Sequence, residues 1–452
     1  MNLPRLLIAG SSGDSGKTLV TLGLIRTWRR KGIKIVPFKK GPDYIDPAWL
    51  TLASGIETHN LDTWMMERER VLRSFTKYSH LDAINLIEAN RGLYDGEDAA
   101  GTHSSAVLAK LLYTPVVIVL PITKVTRTIA AFVLGLKLFD REVNIAGVIL
   151  NRSGGTRHKT IVRRAIEEET GIPVLGAIPR IKNDPLPGRH LGLITPSEYS
   201  EAEESLDVAE KLISESVDTD KVLAITYNCE PLAIDIDNKP ESVNIVGKRR
   251  IGYFSGSAFT FYYPENLEVL RSSNCSLIEI NPLSDESLPE IDALYIGGGF
   301  PETHAALLSN NCAFMKSVAV AARQGLPIWA ECGGLMFLAK QLIWQGNTYP
   351  MAGVIPADVA MHNRPQGHGY QEVEVDRDNP FLKVGTRIRG HEFHYSQIVS
   401  SDKLNTIFKV TRGTGIGEGR DGIIVSNVIA SYLHIHSVAT PEWGRGVLKA
   451  LL

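Results

Sequence analysis

No apolar run in the 452 residues is long enough to span a bilayer. No signal-peptide pattern is expected either, because Arg5 leads into a short apolar run and then a glycine-rich turn. A membrane is therefore not among the expected partners. Cysteine is scarce: the four residues Cys229, Cys275, Cys312 and Cys332 stand far apart and make no metal-binding pattern. In a cytoplasmic chain, the location expected here, they read as free thiols. An excess of one charge is also missing. The 48 Lys and Arg nearly balance 50 Asp and Glu, the net charge is −2, and the basic residues are scattered, which argues against nucleic acid as a partner. There is no internal repeat and no low-complexity tract. What remains is the composition of a globular chain, too long for one ordinary core, so two domains are expected.

The stretch that organises the first half is Leu7 to Thr21, LIAGSSGDSGKTLVT. An apolar run breaks into Gly and Ser, and a helix-like segment follows Gly16, Lys17 and Thr18. Such a strand–loop–helix points backbone N–H groups at one spot and adds the positive end of a helix. Lys17 can reach the β- and γ-phosphates of a nucleotide, and the Thr18 hydroxyl can ligate Mg²⁺. The first glycine of the usual pattern falls on Ser11, with Gly10 just before it. Further apolar runs follow: Ile33–Phe38, Ala83–Glu88, Val116–Leu120, Ile145–Leu150 and Val174–Ile178. They alternate with helical segments, which predicts an α/β fold with a parallel sheet covered on both faces. Polar residues collect just after the strand ends, where open sheets of this kind hold ligands. Asp43 and Asp46 lie after the second run, where they could hold Mg²⁺ or a substrate, or simply make a turn beside Pro and Gly. Glu88 closes the third run as a plausible Mg²⁺ or water ligand.

In the second half, Ala293–Ile296 runs into Gly297-Gly298-Gly299, a turn that leaves N–H groups unshielded as an oxyanion hole requires. Leu326 to Met336 places Cys332 between a strand and a helix, in a Glu-Cys-Gly-Gly context that resembles a nucleophile elbow. The helix start is expected to lower its thiol pKa. A thiol nucleophile needs a base. His434 and His436 would share one face of a strand, and spacing alone does not choose between them. The segment Arg389 to Ser396 carries four hydrogen-bonding side chains that suit a substrate or a half-exposed strand.

Taken in order, these motifs resemble the cobyrinate a,c-diamide synthase family over nearly the whole chain. The resemblance rests on Gly13–Thr18, Phe38–Asp46, Gly92–Gly96, Arg189–Leu193, Phe261–Asn266, Gly297–Glu302, Ala330–Met336, Arg389–His394 and Ser431–His436. It implies a P-loop amidoligase domain similar to dethiobiotin synthetase over residues 1–200, a helix and linker over 201–247, and a class I glutamine amidotransferase domain over 248–452. In the latter, Cys332 would attack the amide of L-glutamine, His434 would be the catalytic histidine, and Gly298 and Gly299 would supply oxyanion N–H groups. Many class I domains carry a Glu two residues after the histidine. Here that place is held by His436, which favours a Cys–His pair over a triad.

In the first domain the resemblance implies ATP bound by Gly13, Ser15, Gly16, Lys17, Thr18 and Asn151, with Asn151 at the position that reads adenine in related enzymes. Mg²⁺ would sit on Thr18, Asp46 and Glu88. A tetrapyrrole substrate would meet Asp43, Tyr44, Asp46 and Asp95. Cobyrinate is the expected acceptor. Sirohydrochlorin, its nickel form and sirohaem stand beside it, because Glu88 is followed by Ala89 rather than Gly and because Lys124–Thr128 is unusually basic. A homodimer is among the assemblies left open. A P-loop switch protein and a bare glutaminase are the readings from other classes. The first would carry a lysine where Ser12 stands and has no use for a cysteine elbow. The second has no use for Lys17 and Thr18.

Overall fold

The computed structural model describes residues 2–189, 192–232, 247–271, 274–401 and 403–451. Residues 233–246 of the expected linker, and His190 and Leu191 of the fourth motif, lie outside the described residues. The chain forms two compact units, Met1–Asp237 and Asn238–Leu452.

The first unit runs β1 (Arg5–Gly10), α1 (Lys17–Arg30), β2 (Ile35–Lys40), α2 (Ile45–Ser54), β3 (His59–Leu61), α3 (Arg68–Tyr78), β4 (Ile84–Gly92), α4 (Ser105–Leu111), β5 (Val116–Pro121), α5 (Thr128–Phe139), β6 (Ile145–Ser153), α6 (Thr156–Thr170) and β7 (Val174–Pro179). The small ladder β8 (Gly188–Arg189) and β9 (Gly192–Leu193) and the helices α7 (Ala202–Ser216) and α8 (Thr219–Tyr227) complete it. The sheet is parallel throughout, in the order β3-β2-β4-β1-β5-β6-β7. Its central strands are apolar on both faces because helices cover both; Leu6, Leu7, Ile8 and Ala9 are all fully buried. The edge strand β3 is absent from the sequence reading, since three residues carry no measurable period. Helices α7 and α8 pack as part of this unit. A β-carbon at Gly23 of α1 would lie 2.7 Å from the Ala209 carbonyl oxygen of α7, so glycine is what lets the two helices close. The Trp28 indole donates to the Thr219 carbonyl at 3.2 Å.

The second unit runs β10 (Arg249–Phe254), α9 (Pro264–Arg271), β11 (Cys275–Ile280), β12 (Ala293–Ile296), α10 (Ala305–Asn310), α11 (Cys312–Arg323), β13 (Ile328–Glu331) and α12 (Gly333–Leu338). Then come β14 (Gln341–Trp344), β15 (Asn347–Pro350), β16 (Ala357–Met361), β17 (Gly367–Val375), β18 (Arg387–His394), β19 (Ser396–Ser401), β20 (Thr406–Arg412), β21 (Arg420–Val425), β22 (Val428–Ser431) and α13 (Pro441–Lys449). Nine of these strands form one sheet, β11-β10-β12-β13-β22-β21-β20-β17-β18, parallel from β11 to β22 and antiparallel beyond. Phe254, Phe259, Phe314 and Phe337 fill one core, and Trp329, Phe381, Phe408 and Trp443 fill the other. Among the described residues no helix is long and apolar enough to cross a membrane.

Candidate active sites

In the first unit the expected ligand residues gather at the C-terminal edge of β1, β2 and β4. The chain leaves β1 at Gly10 and enters α1 after Gly16, whose φ of 91° only glycine adopts without strain. A side chain there would also collide with the Asn151 amide. The Lys17 ammonium donates to the Ser12 carbonyl at 3.0 Å, folding back over the loop. Thr18 Oγ1 donates to Glu88 Oε1 at 2.9 Å. Asn151, at the end of β6, donates from Nδ2 to the Ser15 carbonyl at 2.9 Å and so braces the loop. The Ser15 hydroxyl is buried with no hydrogen-bond partner, while Gly13 has open space where a β-carbon would stand. Asp43 Oδ1 accepts from the N–H groups of Ile45 and Asp46 and opens α2, with Tyr44 at its N-terminal boundary. Asp95 Oδ2 accepts from the Gly92 N–H at 2.8 Å, closing the turn after β4.

Lys39 has no role in the sequence reading, yet it sits at the centre of this cluster. Its side chain is 2% exposed, and its ammonium donates to Asp46 Oδ2 at 2.5 Å and Glu88 Oε1 at 2.6 Å, with Asp43 Oδ2 at 3.7 Å. The doubled Lys39-Lys40 at a strand end was the available signal. Burial raises the Glu88 carboxyl pKa, and Lys39 opposes that shift. Burial acts the same way on Asp46, but Lys39 outweighs it and holds Asp46 below its ordinary value. Asp43 is pushed up to about 7 by burial and by the Asp46 charge. Lys17 is lowered by burial and by Lys39.

The oxygen set of Thr18, Asp46 and Glu88 suits Mg²⁺, which takes one or two carboxylates and keeps waters or phosphates for the rest. Glu88 Oε2 is buried with no hydrogen-bond partner, an orphan that a cation would satisfy. No group of three or more His, Cys, Asp or Glu among the described residues is arranged to hold a metal.

In the second unit Cys332 stands between β13 and α12 with φ 45°, ψ −93°, a strained backbone for a non-glycine residue. It is 5% exposed. The thiol pKa is raised rather than lowered, by burial and then by the Glu302 and Glu331 carboxylates. The Gly333 N–H at the helix start does act to lower it, as expected, but burial and the acidic surroundings outweigh that contribution. A thiol held protonated makes a neighbouring base more necessary. Cys332 N–H donates to the Ser431 carbonyl at 2.7 Å, tying the elbow to the end of β22.

His434 and His436 lie beyond the end of β22, not on a strand, and they face different partners. His434 bridges His391 through paired backbone hydrogen bonds of 2.8 and 3.2 Å. Its Nδ1 lies 3.3 Å from Glu331 Oε2. The His436 ring lies 3.5 Å from Glu265 Oε2. Asn266, in a motif with no assigned role, holds the loop at both ends: Nδ2 donates to the Ile435 carbonyl and Oδ1 accepts from the Ser437 N–H, each at 2.7 Å. Gly298 and Gly299 approach the same spot. A β-carbon at Gly298 would lie 2.6 Å from His434 Cε1, and one at Gly333 would lie 3.1 Å from the Gly299 nitrogen. His391 stacks beside His434 at 4.9 Å and is kept neutral by burial and by the neighbouring imidazoles. Of the segment Arg389–Ser396, His391, Glu392 and His394 are buried, whereas Arg389 pairs with Glu372 at 3.0 Å on the exposed face.

Residues 6–193 match the CobQ/CobB/MinD/ParA nucleotide-binding domain, and residues 250–441 match the CobB/CobQ-like glutamine amidotransferase domain. A nucleotide-binding unit joined to a glutamine amidotransferase unit defines a glutamine-dependent amidoligase. A cobyrinate a,c-diamide synthase of Magnetococcus marinus is 40% identical over 98% of this chain and 96% of its own. One from Archaeoglobus fulgidus is 39% identical over 99% and 98%, and one from Listeria monocytogenes 39% over 96% and 96%. The chain belongs to the cobyrinate a,c-diamide synthase family.

Proposed function

We propose that this chain converts the a- and c-acetate carboxylates of cobyrinate into amides, using glutamine as the nitrogen source and ATP as the activating reagent, as a step in cobalamin biosynthesis. The observation that carries the reading is the coexistence, in one chain related end to end to synthases of that name, of a phosphate loop and a cysteine elbow.

A carboxylate is a poor electrophile because oxide is a poor leaving group. Transfer of the γ-phosphoryl of ATP to a substrate carboxylate oxygen gives an acyl phosphate and ADP. Ammonia then attacks the acyl carbon, phosphate leaves with the carbon–oxygen electron pair, and the ammonium proton goes to solvent or a carboxylate. Gly13, Ser15, Gly16 and Lys17 cradle the phosphates, and Lys17 and Lys39 offset the charge on the transferring group. Thr18, Asp46 and Glu88 would hold Mg²⁺, which supplies further charge neutralisation there. Asp43, Tyr44 and Asp95, on the same sheet edge, are the residues proposed to meet the acceptor. Asn151 braces the loop through the Ser15 carbonyl and, as the family resemblance implies, would read the adenine base.

In the second unit His434 takes the Cys332 proton as sulfur attacks the glutamine amide carbon. The oxyanion forms against the Gly298 and Gly299 N–H groups. His434 returns the proton to the departing nitrogen as the carbon–nitrogen bond breaks, and ammonia leaves. Water then hydrolyses the thioester to glutamate.

The test is an amidation assay read by mass spectrometry, offering cobyrinic acid and sirohydrochlorin, each with and without metal, with glutamine and ATP-Mg²⁺. Two successive replacements of carboxyl OH by NH₂ on the corrinoid support the reading. Turnover of the sirohydrochlorin-type compound alone would move the acceptor and leave both half-reactions in place. Omission of Mg²⁺ should abolish amidation and spare glutamine hydrolysis. A homodimer is the assembly to seek by light scattering.

A further inference from the structure

The base at the cysteine elbow needs an orienting partner, and position 436, where many class I domains carry a glutamate, holds a histidine that faces Glu265. The carboxylate that does reach His434 comes from elsewhere. Glu331 ends β13, one residue before the nucleophile, and is fully buried. Its Oε2 lies 3.3 Å from His434 Nδ1. Its Oε1 accepts from the Trp329 indole at 3.2 Å and from the Tyr295 hydroxyl at 3.3 Å. Two donors on one oxygen fix the carboxylate plane and leave the other oxygen for the imidazole. Strand β13 pairs in parallel with β22, with Glu331 opposite Ser431, so the loop bearing His434 starts beside it. A carboxylate buried this deeply is costly unless a cationic or donor group faces it.

We infer that Glu331 is a positioning residue of the glutaminase site, accepting Nδ1–H of His434 so that the unprotonated Nε2 can take the Cys332 proton. The inference rests on the proposed roles of Cys332 and His434. It makes nucleophile and orienter neighbours in sequence, Glu331 ending β13 and Cys332 following it, so that the elbow carries both. It also replaces the expected Cys–His pair by a three-residue arrangement whose carboxylate precedes the cysteine.

The geometry predicts what Glu331→Gln does. Tyr295 and Trp329 both donate, so the carbonyl of the new amide turns to them and its NH₂ faces His434 Nδ1. That favours the tautomer protonated on Nε2, which cannot accept the thiol proton. In the full-length chain, glutaminase kcat should fall on the order of 10²-fold, with KM for glutamine within about threefold. Alkylation of Cys332 by iodoacetamide should slow in parallel. Amidation driven by added ammonium salt should persist, because it bypasses this site. Glu331→Asp, which keeps the charge, should retain at least about tenfold more glutaminase than Glu331→Gln.

Glutaminase in Glu331→Gln within threefold of the parent, with Cys332→Ser inactive, overturns the inference and leaves the site reading intact. Glutaminase surviving in Cys332→Ser overturns the reading and the inference with it. If Glu331→Gln fails to fold, Glu331→Asp decides. Loss of ammonia-driven amidation together with glutaminase in that variant would make Glu331 a structural anchor and nothing more.

Discussion

Both units place carboxylates at the C-terminal ends of parallel strands, but they balance the charge in different ways. In the first unit Asp43, Asp46 and Glu88 surround one lysine, Lys39, which is itself out of solvent. In the second unit Glu331 faces an imidazole, His434. A lysine ammonium is a fixed charge under working conditions, whereas an imidazole gains and loses its proton near neutrality. The first arrangement suits a site whose task is to hold anions still while a phosphoryl group moves. The second suits a site whose charge must change at each turnover. On the proposed mechanism, carboxylates at corresponding places in the two sheets would serve electrostatics in one and proton transfer in the other.

The comparison is broken most severely at the nucleophile. Cys332→Ser should lower glutamine-dependent amidation by roughly 10⁴-fold or more, while ammonia-dependent amidation stays within about twofold. Equal loss with both nitrogen sources would mean that the two sites do not divide the chemistry as drawn. The mirror experiment is Lys17→Ala. Removing one preorganised cation from the phosphates should lower amidation with either nitrogen source by about 10²–10³-fold, with basal glutamine hydrolysis retained. A variant that amidates normally would remove the loop from the mechanism.

Lys39→Met sharpens the contrast in stability. It deletes the shared counter-charge and leaves carboxylates buried, which costs about 3–5 kcal/mol when one partner of a buried pair is lost. The thermal transition that ATP shifts should fall well below that of the parent. A change of less than about 1 kcal/mol would show that solvent reaches this cluster and screens it.

Sequence and structure diverge where contacts are distant. Thr18 and Cys332 were legible because one follows a glycine turn and the other a strand end; Glu88 was legible as the acid closing an apolar run, although β4 continues past it to Gly92. The partners were not. Lys39 meets Glu88 across 49 positions and His434 meets Glu331 across 103, and no local period encodes either. The shared face expected for His434 and His436 assumed that β22 continued, but it ends at Ser431. The helix start after Cys332 was readable, whereas the closed, acidic surroundings that raise its pKa depend on Glu302 and on packing from other strands. Local sequence leaves Asp43 open between a ligand and a turn former, and in the structure its carboxylate accepts the first N–H groups of α2.

Asp43 also supplies the smallest effect, and its sign can be worked out. Burial and the Asp46 charge raise its carboxyl to about 7, against about 4 in an unfolded chain. Between those values the folded state holds a proton that the unfolded state has released. Stability therefore falls as pH rises through that window, and the penalty is complete above the folded value. Asp43→Asn keeps an oxygen to cap α2 and has no proton to lose. Relative to the parent it should gain stability progressively from pH 4 to pH 8. Since the Asp43 side chain is 28% exposed, the gain should be on the order of 1 kcal/mol, a shift of about 2–4 °C in the transition that ATP moves. Thermal melts of both proteins across that range provide the measurement. A gap between them that stays constant with pH would mean that Asp43 titrates as an ordinary carboxylate, and that Lys39 balances all three acids rather than two.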